Sequence, residues 1–197
     1  MLFRSYRPKR RTRATIAKEK GLEPLANLIL LQKMTETPLE EAKKYINPEK
    51  EVSTAEDALN GAKDILAESV SDNADFRTHI RELTMKHGQL LSAAKDPEAE
   101  SVYEMYYEFS ESLSKLAGHR ILAISRGEKE KFLTVKIEAP TDRILSYLDR
   151  KIITNPQAFT APVLHEALED AYNRLIAPAI EREIRNDLFE KDRKSVV

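Results

Sequence analysis

The sequence predicts a mainly α-helical fold, because helix-capping residues repeatedly precede apolar runs with helical spacing. The chain has five glycines and no tryptophan among 197 residues, which argues against a β-rich or glycine-loop enzyme. We expect a multi-helix bundle or an irregular helical array with one small β-hairpin and a long kinked C-terminal helix. A hydrophobic content of 41% and a charged content of 33% suit a globular protein with one sizeable domain or two small ones.

Local signals mark the first helices. The first helix is expected to begin near Thr12 to Ala14 and to stop at Gly21, and Pro24 suits the first turn of a second helix. Thr37-Pro38-Leu39-Glu40 and Ser53-Thr54-Ala55-Glu56 both have the pattern of a capping box, so each predicts the start of a further helix.

The middle of the chain is interpreted as helical as well. A helix containing Phe76 and Ile80 is expected to end at Gly88 in a left-handed conformation. The next segment follows Asp96-Pro97, and its aromatic residues fall on one helical face, where core packing is favoured over a platform for stacking bases. These aromatic residues are Tyr103, Tyr106 and Tyr107, with Phe109 nearby, and Ser110 and Ser112 are expected to cap the following helix.

One stretch departs from helical periodicity. Residues 121–125 and 132–137 are β-rich runs on either side of the charged segment 126–131, and this arrangement predicts a β-hairpin. A long helix is then expected from Ala161 to about Glu190, with Pro178 inside it. Proline removes one helical hydrogen bond and is expected to kink this helix.

The strongest functional signal is a basic arm at residues 6–20. From Arg7 to Lys20 it has seven basic residues and one acid, Glu19, whereas the whole chain has a net charge of −1. Arginines in an extended stretch can bind phosphate through paired hydrogen bonds, and an aromatic side chain in front of them can stack on a base. The residues predicted to contact nucleic acid are Tyr6, Arg7, Lys9, Arg10, Arg11 and Arg13. The alternative is intramolecular pairing of Arg10, Arg11 and Arg13 with acidic helices.

Three blocks of sequence resemble a known family. The three blocks are residues 6–17 (YRPKRRTRATIA), residues 109–130 (FSESLSKLAGHRILAISRGEKE) and residues 171–185 (AYNRLIAPAIEREIR). They are similar to the N-terminal half of proteins of the Tex family. Members of this family are bacterial transcription accessory proteins that bind nucleic acid. The resemblance implies nucleic acid as a partner, RNA more than DNA, and a setting near RNA polymerase or the ribosome. It places the clearest nucleic-acid contacts of the family in an OB-fold domain that has no counterpart in this sequence.

The resemblance also predicts how the chain is organised. Tex proteins are several times longer, so the sequence is interpreted as an internal fragment with a helical region at 6–118. Residues 119–191 are expected to form the hairpin and the long helices that lead to an absent RNase H-like domain. The short terminal segments 1–5 and 192–197 are interpreted as non-native scars.

Catalytic and metal-binding patterns are weak. The chain has no cysteine, no H-E-x-x-H motif and no glycine-rich phosphate loop, so we expect no enzyme activity, cofactor or small-molecule substrate. His165 and Glu169 share a helical face, but a second histidine at the required spacing is missing, and we expect no metal. The longest apolar run, residues 28–31, is far shorter than the ~20 residues that span a bilayer, so no membrane partner is expected. The absence of cysteine fits a reducing compartment, and a cytoplasmic location is expected.

Two functions remain open at this level. The first is a helical scaffold of a nucleic-acid-binding transcription accessory protein, with the basic arm as a secondary phosphate contact. The alternative is a scaffold that docks proteins of the transcription or translation machinery through segment 126–131 and the acidic helices, without contacting nucleic acid.

Overall fold

The computed structural model describes residues 10–194, with side chains for residues 10–190. Its helices are α1 (Arg13–Glu19), α2 (Glu23–Leu31), α3 (Pro38–Ala42), α4 (Ala55–Ser71), α5 (Ala74–His87), α6 (Gly118–Lys129), α7 (Thr141–Ile152), α8 (Ala161–Asp170) and α9 (Ala177–Lys194). Its strands are β1 (Gln89–Ala94), β2 (Glu108–Ser112) and β3 (Leu133–Glu138). The prediction of a mainly α-helical protein is confirmed, and a three-stranded antiparallel sheet stands in place of the small β-hairpin that was expected.

The described residues divide into two units, each of which has its own core. Unit 1 combines the described residues up to Asn73 with Leu148–Leu175, and unit 2 combines Ala74–Tyr147 with the residues from Ile176 onward. The units therefore interleave along the sequence.

Threonine caps set three helix starts of unit 1. Thr12, Thr37 and Thr54 each accept a hydrogen bond from the backbone N–H three residues later, which confirms the expected starts of α1 and α3. Helix α4 begins one residue later than its predicted capping box, because Thr54 and not Ser53 is the cap. Pro24 lies in the first turn of α2, and Gly21 follows α1 with a φ of 77°, as expected for a glycine after a helix.

Small residues allow the helices of unit 1 to pack closely. Helices α1, α2, α3 and α8 contact α4. Ala14 and Ala17 of α1 are buried, and a Cβ atom added to Gly61 of α4 would lie 3.3 Å from the Cβ of Ala17 and would collide with Leu22. One face of α1 is thus fixed against α4, which leaves its other side facing solvent.

Unit 2 is built on a three-stranded antiparallel sheet in the order β2-β1-β3. Leu90 of β1 lies opposite Glu111 of β2 and Ile137 of β3. The face that includes Leu90, Val135 and Ile137 is buried, and α6 contacts both β3 and α9.

The predicted hairpin is wrong in its first half. Residues 121–125 belong to α6, and only the run at 132–137 forms a strand, β3, which pairs with β1. Apolar residues at 121–124 fit one side of a helix as well as a strand, so tertiary packing decides which structure forms. Ile124 is fully buried, and the Cγ of Leu133 would lie 2.8 Å from a Cβ on Gly127. Segment 126–131 is therefore the last turn of α6 and the turn after it.

The aromatic segment was predicted to be helical, and this prediction is wrong. After a short 3₁₀ turn at Glu104–Tyr106 the chain enters β2, so Ser110 and Ser112 are strand residues and not helix caps. Tyr103 and Tyr106 are buried, which agrees with the core role preferred for them.

Gly88 also differs from its prediction, since it does not adopt the left-handed conformation. A Cβ at this position would collide with the carbonyl oxygen of Thr84 and lie 3.1 Å from that of Glu138. The absence of a side chain, and not an unusual φ, is what the backbone requires here.

The long C-terminal helix is confirmed, and its interruption has a specific form. A π-helical segment at Ala171–Ile176 separates α8 from α9 and immediately precedes Ala177 and Pro178. Proline has no N–H to continue the α-helical pattern, and a π turn is a common way to absorb such a break. Leu164, Leu168, Tyr172, Ile176, Ile180 and Ile184 are buried along this helix.

Candidate nucleic-acid interface

The structure describes only part of the predicted basic arm. Tyr6, Arg7 and Lys9 lie outside the described residues. Arg10 and Arg11 are exposed ahead of α1, and Arg13 is exposed in its first turn. Because Ala14 and Ala17 hold α1 against α4, Arg13 is carried by a helix with a fixed inner face, and Arg10 and Arg11 lie just ahead of that helix.

Arg11 has an intramolecular partner. Its Nη2 donates to Glu19 Oε2 at 2.5 Å, and the two side chains are 66% and 53% exposed. Exposed ion pairs contribute at most ~1 kcal/mol, because water and salt screen them. A phosphate group can therefore compete with Glu19 for the Arg11 guanidinium.

Arg13 lies in a more acidic environment. Together with Lys20 it lines a cleft of about 290 Å³ whose wall includes Glu51, Asp57 and Asp64. Burial raises the pKa of Asp64 above its ordinary value, and the nearby Arg174 and Arg13 oppose that rise. The charge of Arg13 is thus partly balanced within unit 1, whereas Arg10 and Arg11 lie outside the cleft.

The His165 region forms a compact ionic cluster in unit 1. The Nδ1 atom of His165 lies 2.9 Å from Asp149 Oδ2, and its Nε2 lies 3.0 Å from Glu169 Oε1. The hydrogen bond to Asp149, together with the charges of both carboxylates, raises the pKa of His165 above its ordinary value. Because the two carboxylates contact opposite nitrogens of the ring, they and the ring cannot all coordinate one metal ion.

Among the residues that the structure describes, no group of three His, Cys, Asp or Glu side chains could hold a metal ion. Within the same residues, no helix has both the length and the apolar character needed to cross a bilayer.

A second cationic cluster in unit 2 was missed from the sequence. Desolvation lowers the pKa of His87, and the charges of Arg143 of α7 and Lys86 of α5 lower it further. Lys86 and His87 are adjacent, but Arg143 lies more than fifty positions further along the chain, and no local motif connects it to them. Only the fold could have revealed this grouping.

Comparison with known proteins identifies the family. The model described as "Tex central region-like" matches residues 33–197. The chain belongs to the Tex family. The basic arm at 6–20 precedes the segment matched by this family model.

Individual relatives agree with this assignment. Protein YdcI of Bacillus subtilis is 50% identical over 193 residues, which cover 96% of this chain and 27% of YdcI. Protein tex of Bordetella pertussis is 41% identical over 144 residues, covering 72% of this chain and 18% of that protein. The Homo sapiens protein named S1 RNA-binding domain-containing protein 1 is 34% identical over 202 residues, covering 94% and 20% respectively. The chain therefore spans about a quarter or less of the length of these relatives.

Proposed function

We propose that this Tex-family segment is a helical scaffold of a nucleic-acid-binding transcription accessory protein and that its basic arm is a secondary phosphate contact. The observation that carries the proposal is the placement of Arg10 and Arg11, exposed beside a helix whose alanine face is buried against α4. A cation held beside a fixed helix loses less conformational freedom on binding phosphate than one on a free chain.

The family supports the same proposal. One bacterial relative is named a transcriptional accessory protein, and the human relative carries an S1 RNA-binding domain in its name. We propose that the arm prefers single-stranded RNA to duplex DNA, with Tyr6 stacking on an unpaired base and Arg7, Lys9, Arg10, Arg11 and Arg13 along the phosphates. The segment would then add a contact to those made by other parts of a longer protein.

The test is fluorescence-anisotropy binding of single-stranded RNA and of duplex DNA across a series of salt concentrations. The chain is compared with the triple variant Arg10→Ala/Arg11→Ala/Arg13→Ala. If the three side chains contact phosphates of the single strand, the variant binds more weakly and the slope of log affinity against log salt flattens by about two units.

The matched control is Arg126→Ala/Lys129→Ala/Lys136→Ala, which removes the same charge from exposed positions of unit 2. Its salt slope is expected to remain close to that of the unmodified chain. Equal losses in both triple variants would mean that total charge, and not the arm, governs binding. A folded chain that binds neither nucleic acid would contradict the proposal.

A second function is favoured by the partners of the arm. Arg11 pairs with Glu19, and Arg13 lies beside Asp64, as expected if the arm contributes to internal packing and the segment docks RNA polymerase or the ribosome. The distinguishing experiment measures binding to purified polymerase and to purified ribosomal proteins before and after nuclease treatment. Affinity for one of them that survives nuclease treatment and the Arg10/Arg11/Arg13 triple change would favour this alternative.

We also propose that the segment is not an enzyme, uses no cofactor or small-molecule substrate and works in the cytoplasm. His165 lies between two carboxylates, yet these neighbours, Asp149 and Glu169, offer it no nucleophile to activate. Turnover of RNA or DNA by the purified chain, abolished by His165→Gln, would contradict this part of the proposal.

A further inference from the structure

The two edges of the sheet in unit 2 are treated differently. On the β3 side, the Nη1 of Arg185 donates to the carbonyl oxygen of Val135 at 2.6 Å, and the N–H of Ile137 donates to Glu181 Oε1 at 3.4 Å. Side chains of α9 therefore occupy the outward backbone groups of β3, which is one way in which proteins protect an exposed strand.

The other edge of the sheet is formed by β2. Within the part of the chain that the structure describes, β2 has a strand neighbour only in β1. The N–H of Leu113 donates to the oxygen of Gly88, and that of Ala94 donates to the oxygen of Tyr107.

These two bonds fix the alternation of the ladder. In antiparallel pairing, every second residue directs its N–H and C=O away from the partner strand. Counting from the bonds at Leu113 and Tyr107, these residues are Glu108, Ser110 and Ser112. The outer edge of β2 thus presents a row of backbone donors and acceptors.

The connection before β2 presents apolar side chains to solvent. Val102 is 85% exposed and Met105 is 69% exposed. Exposed apolar side chains that form a patch are commonly found at protein interaction sites.

This connection is held in place by hydrogen bonds. The hydroxyl of Tyr107 donates to the oxygen of Ala99 at 2.7 Å and lies 2.8 Å from Ser101 Oγ. The hydroxyl of Tyr103 donates to Glu130 Oε2 at 2.6 Å. Val102 and Met105 are therefore exposed within an ordered segment.

Charge indicates what kind of partner fits. Residues 95–108 include five exposed acids and one basic residue, Lys95; the acids are Asp96, Glu98, Glu100, Glu104 and Glu108. This field attracts a cationic segment and repels nucleic acid. It also opposes pairing between two copies of β2, because that would bring the acidic edges of both copies together.

We propose that the outer edge of β2 binds a basic, extended segment of a partner protein, which adds as a fourth strand. Backbone hydrogen bonds to Glu108, Ser110 and Ser112 provide the pairing, and the acidic loop selects for lysine or arginine. This surface lies in unit 2 and does not depend on the basic arm.

The experiment uses isotope-labelled full chain and synthetic peptides of about nine residues, a common strand length, in which lysine and valine alternate. A second peptide has the same sequence with N-methyl groups on alternate residues, which removes the donors needed for strand pairing. We expect chemical-shift changes at residues 108–112 with the first peptide and an affinity about five- to tenfold lower for the second.

Ser110→Pro is the matching change in the protein. The N–H of Ser110 points away from β1, so proline there removes an outward donor and keeps the ladder to β1. The variant is expected to bind the first peptide about five- to tenfold more weakly, whereas Ser110→Ala, which keeps the N–H, binds it as the unmodified chain does. Thermal unfolding verifies that both variants are folded.

Three results would overturn the proposal: no binding of the first peptide, equal binding of the two peptides, or single-stranded RNA displacing the peptide from residues 108–112. The comparison of the two peptides needs no altered protein, so it remains decisive even if Ser110→Pro destabilises the sheet.

Discussion

Gly61 of unit 1 and Gly88 of unit 2 both allow close packing, and they differ in the kind of atom that crowds them. In unit 1, Gly61 lets α4 approach α1, and the atoms that crowd it belong to the side chains of Leu22 and Ala17. In unit 2, Gly88 is crowded by the backbone oxygens of Thr84 and Glu138. A side-chain end can move to accommodate a methyl group, whereas a hydrogen-bonded backbone cannot, so equal substitutions should have unequal costs.

The largest expected effect is that of Gly88→Ala. The added methyl group must displace the end of α5 or of β3, and we expect a loss of about 2–3 kcal/mol in the free energy of unfolding. Gly61→Ala should change it by less than about 1 kcal/mol, because the strain on Leu22 is offset by the better helix propensity of alanine. Urea unfolding measures both changes, and amide exchange assigns each to its unit.

Gly118→Ala is the control for these glycine changes. Gly118 begins α6, and a Cβ atom there meets nothing within 4 Å. Alanine is expected to stabilise the protein by about 0.5 kcal/mol. If Gly61→Ala proves as costly as Gly88→Ala, the distinction between side-chain and backbone crowding is wrong.

Arg185→Ala tests the edge protection of unit 2. The change removes the donor to the oxygen of Val135 and leaves Glu128 without the guanidinium that its two carboxylate oxygens accept from at 2.7 Å. We expect a cost of about 2 kcal/mol, since Arg185 and Glu128 are only partly exposed. Arg182→Ala, at an exposed position of α9, should cost less than about 0.5 kcal/mol in the same thermal unfolding assay.

Thr54→Ala tests the dependence of unit 1 on helix caps. The hydroxyl accepts from the N–H of Asp57 at the start of α4, the helix that α1, α2, α3 and α8 contact. Its loss should cost about 1 kcal/mol by denaturant unfolding. Ser53→Ala, one residue earlier and exposed, is expected to be nearly neutral, and an equal cost at both positions would exclude a capping role for Thr54.

The smallest expected effect is a pH dependence in unit 1. Because the pKa of His165 is raised in the folded chain, the folded state binds a proton more tightly than the unfolded state. This contribution is complete below the ordinary histidine pKa of 6.5 and is lost as pH rises through the higher folded value. The His165 side chain is 44% exposed, so solvent screening keeps the contribution small.

The pH effect is measured as the free energy of unfolding from pH 6 upward. Asp149→Asn should flatten its decline, because it removes the largest cause of the raised pKa. Asp142→Asn, on the same helix, is expected to leave the decline unchanged. An unaltered profile for Asp149→Asn would show that some other group controls it.

Local chemistry explains why much of unit 1 could be predicted from the sequence. Thr37 and Thr54 act within three residues of themselves, so the cap at Thr37 and, to within one residue, the start of α4 could be predicted without knowledge of the fold. The long C-terminal helix was equally accessible, because its buried residues recur at helical spacing through Ile184.

The predictions of local structure failed where contacts with distant segments determine the conformation. Residues 121–124 suit a strand or a helix, and burial of Ile124 beside β3 and α9 selects the helix. The role of Gly88 depends on Glu138, fifty positions later, so the sequence around it could show only that a glycine was present.

The candidate nucleic-acid interface could be predicted only in part from the sequence. Seven basic residues between Arg7 and Lys20 are evident from the sequence. The partners of Arg11 and Arg13 and the exposure of Val102 and Met105 depend on the folded chain.

The interleaving of the two units has a consequence for synthesis in the cell. The core of unit 1 includes Leu164 and Ala167, which are translated only after the whole inserted segment Ala74–Tyr147. Helix α4 must therefore wait for its partner α8 for roughly 5–20 seconds at ordinary rates of translation. Unit 2 in turn lacks Ile180 and Ile184 until α9 has been made. A nascent chain arrested before residue 160 consequently has neither core complete, and such a chain is a natural substrate for chaperones.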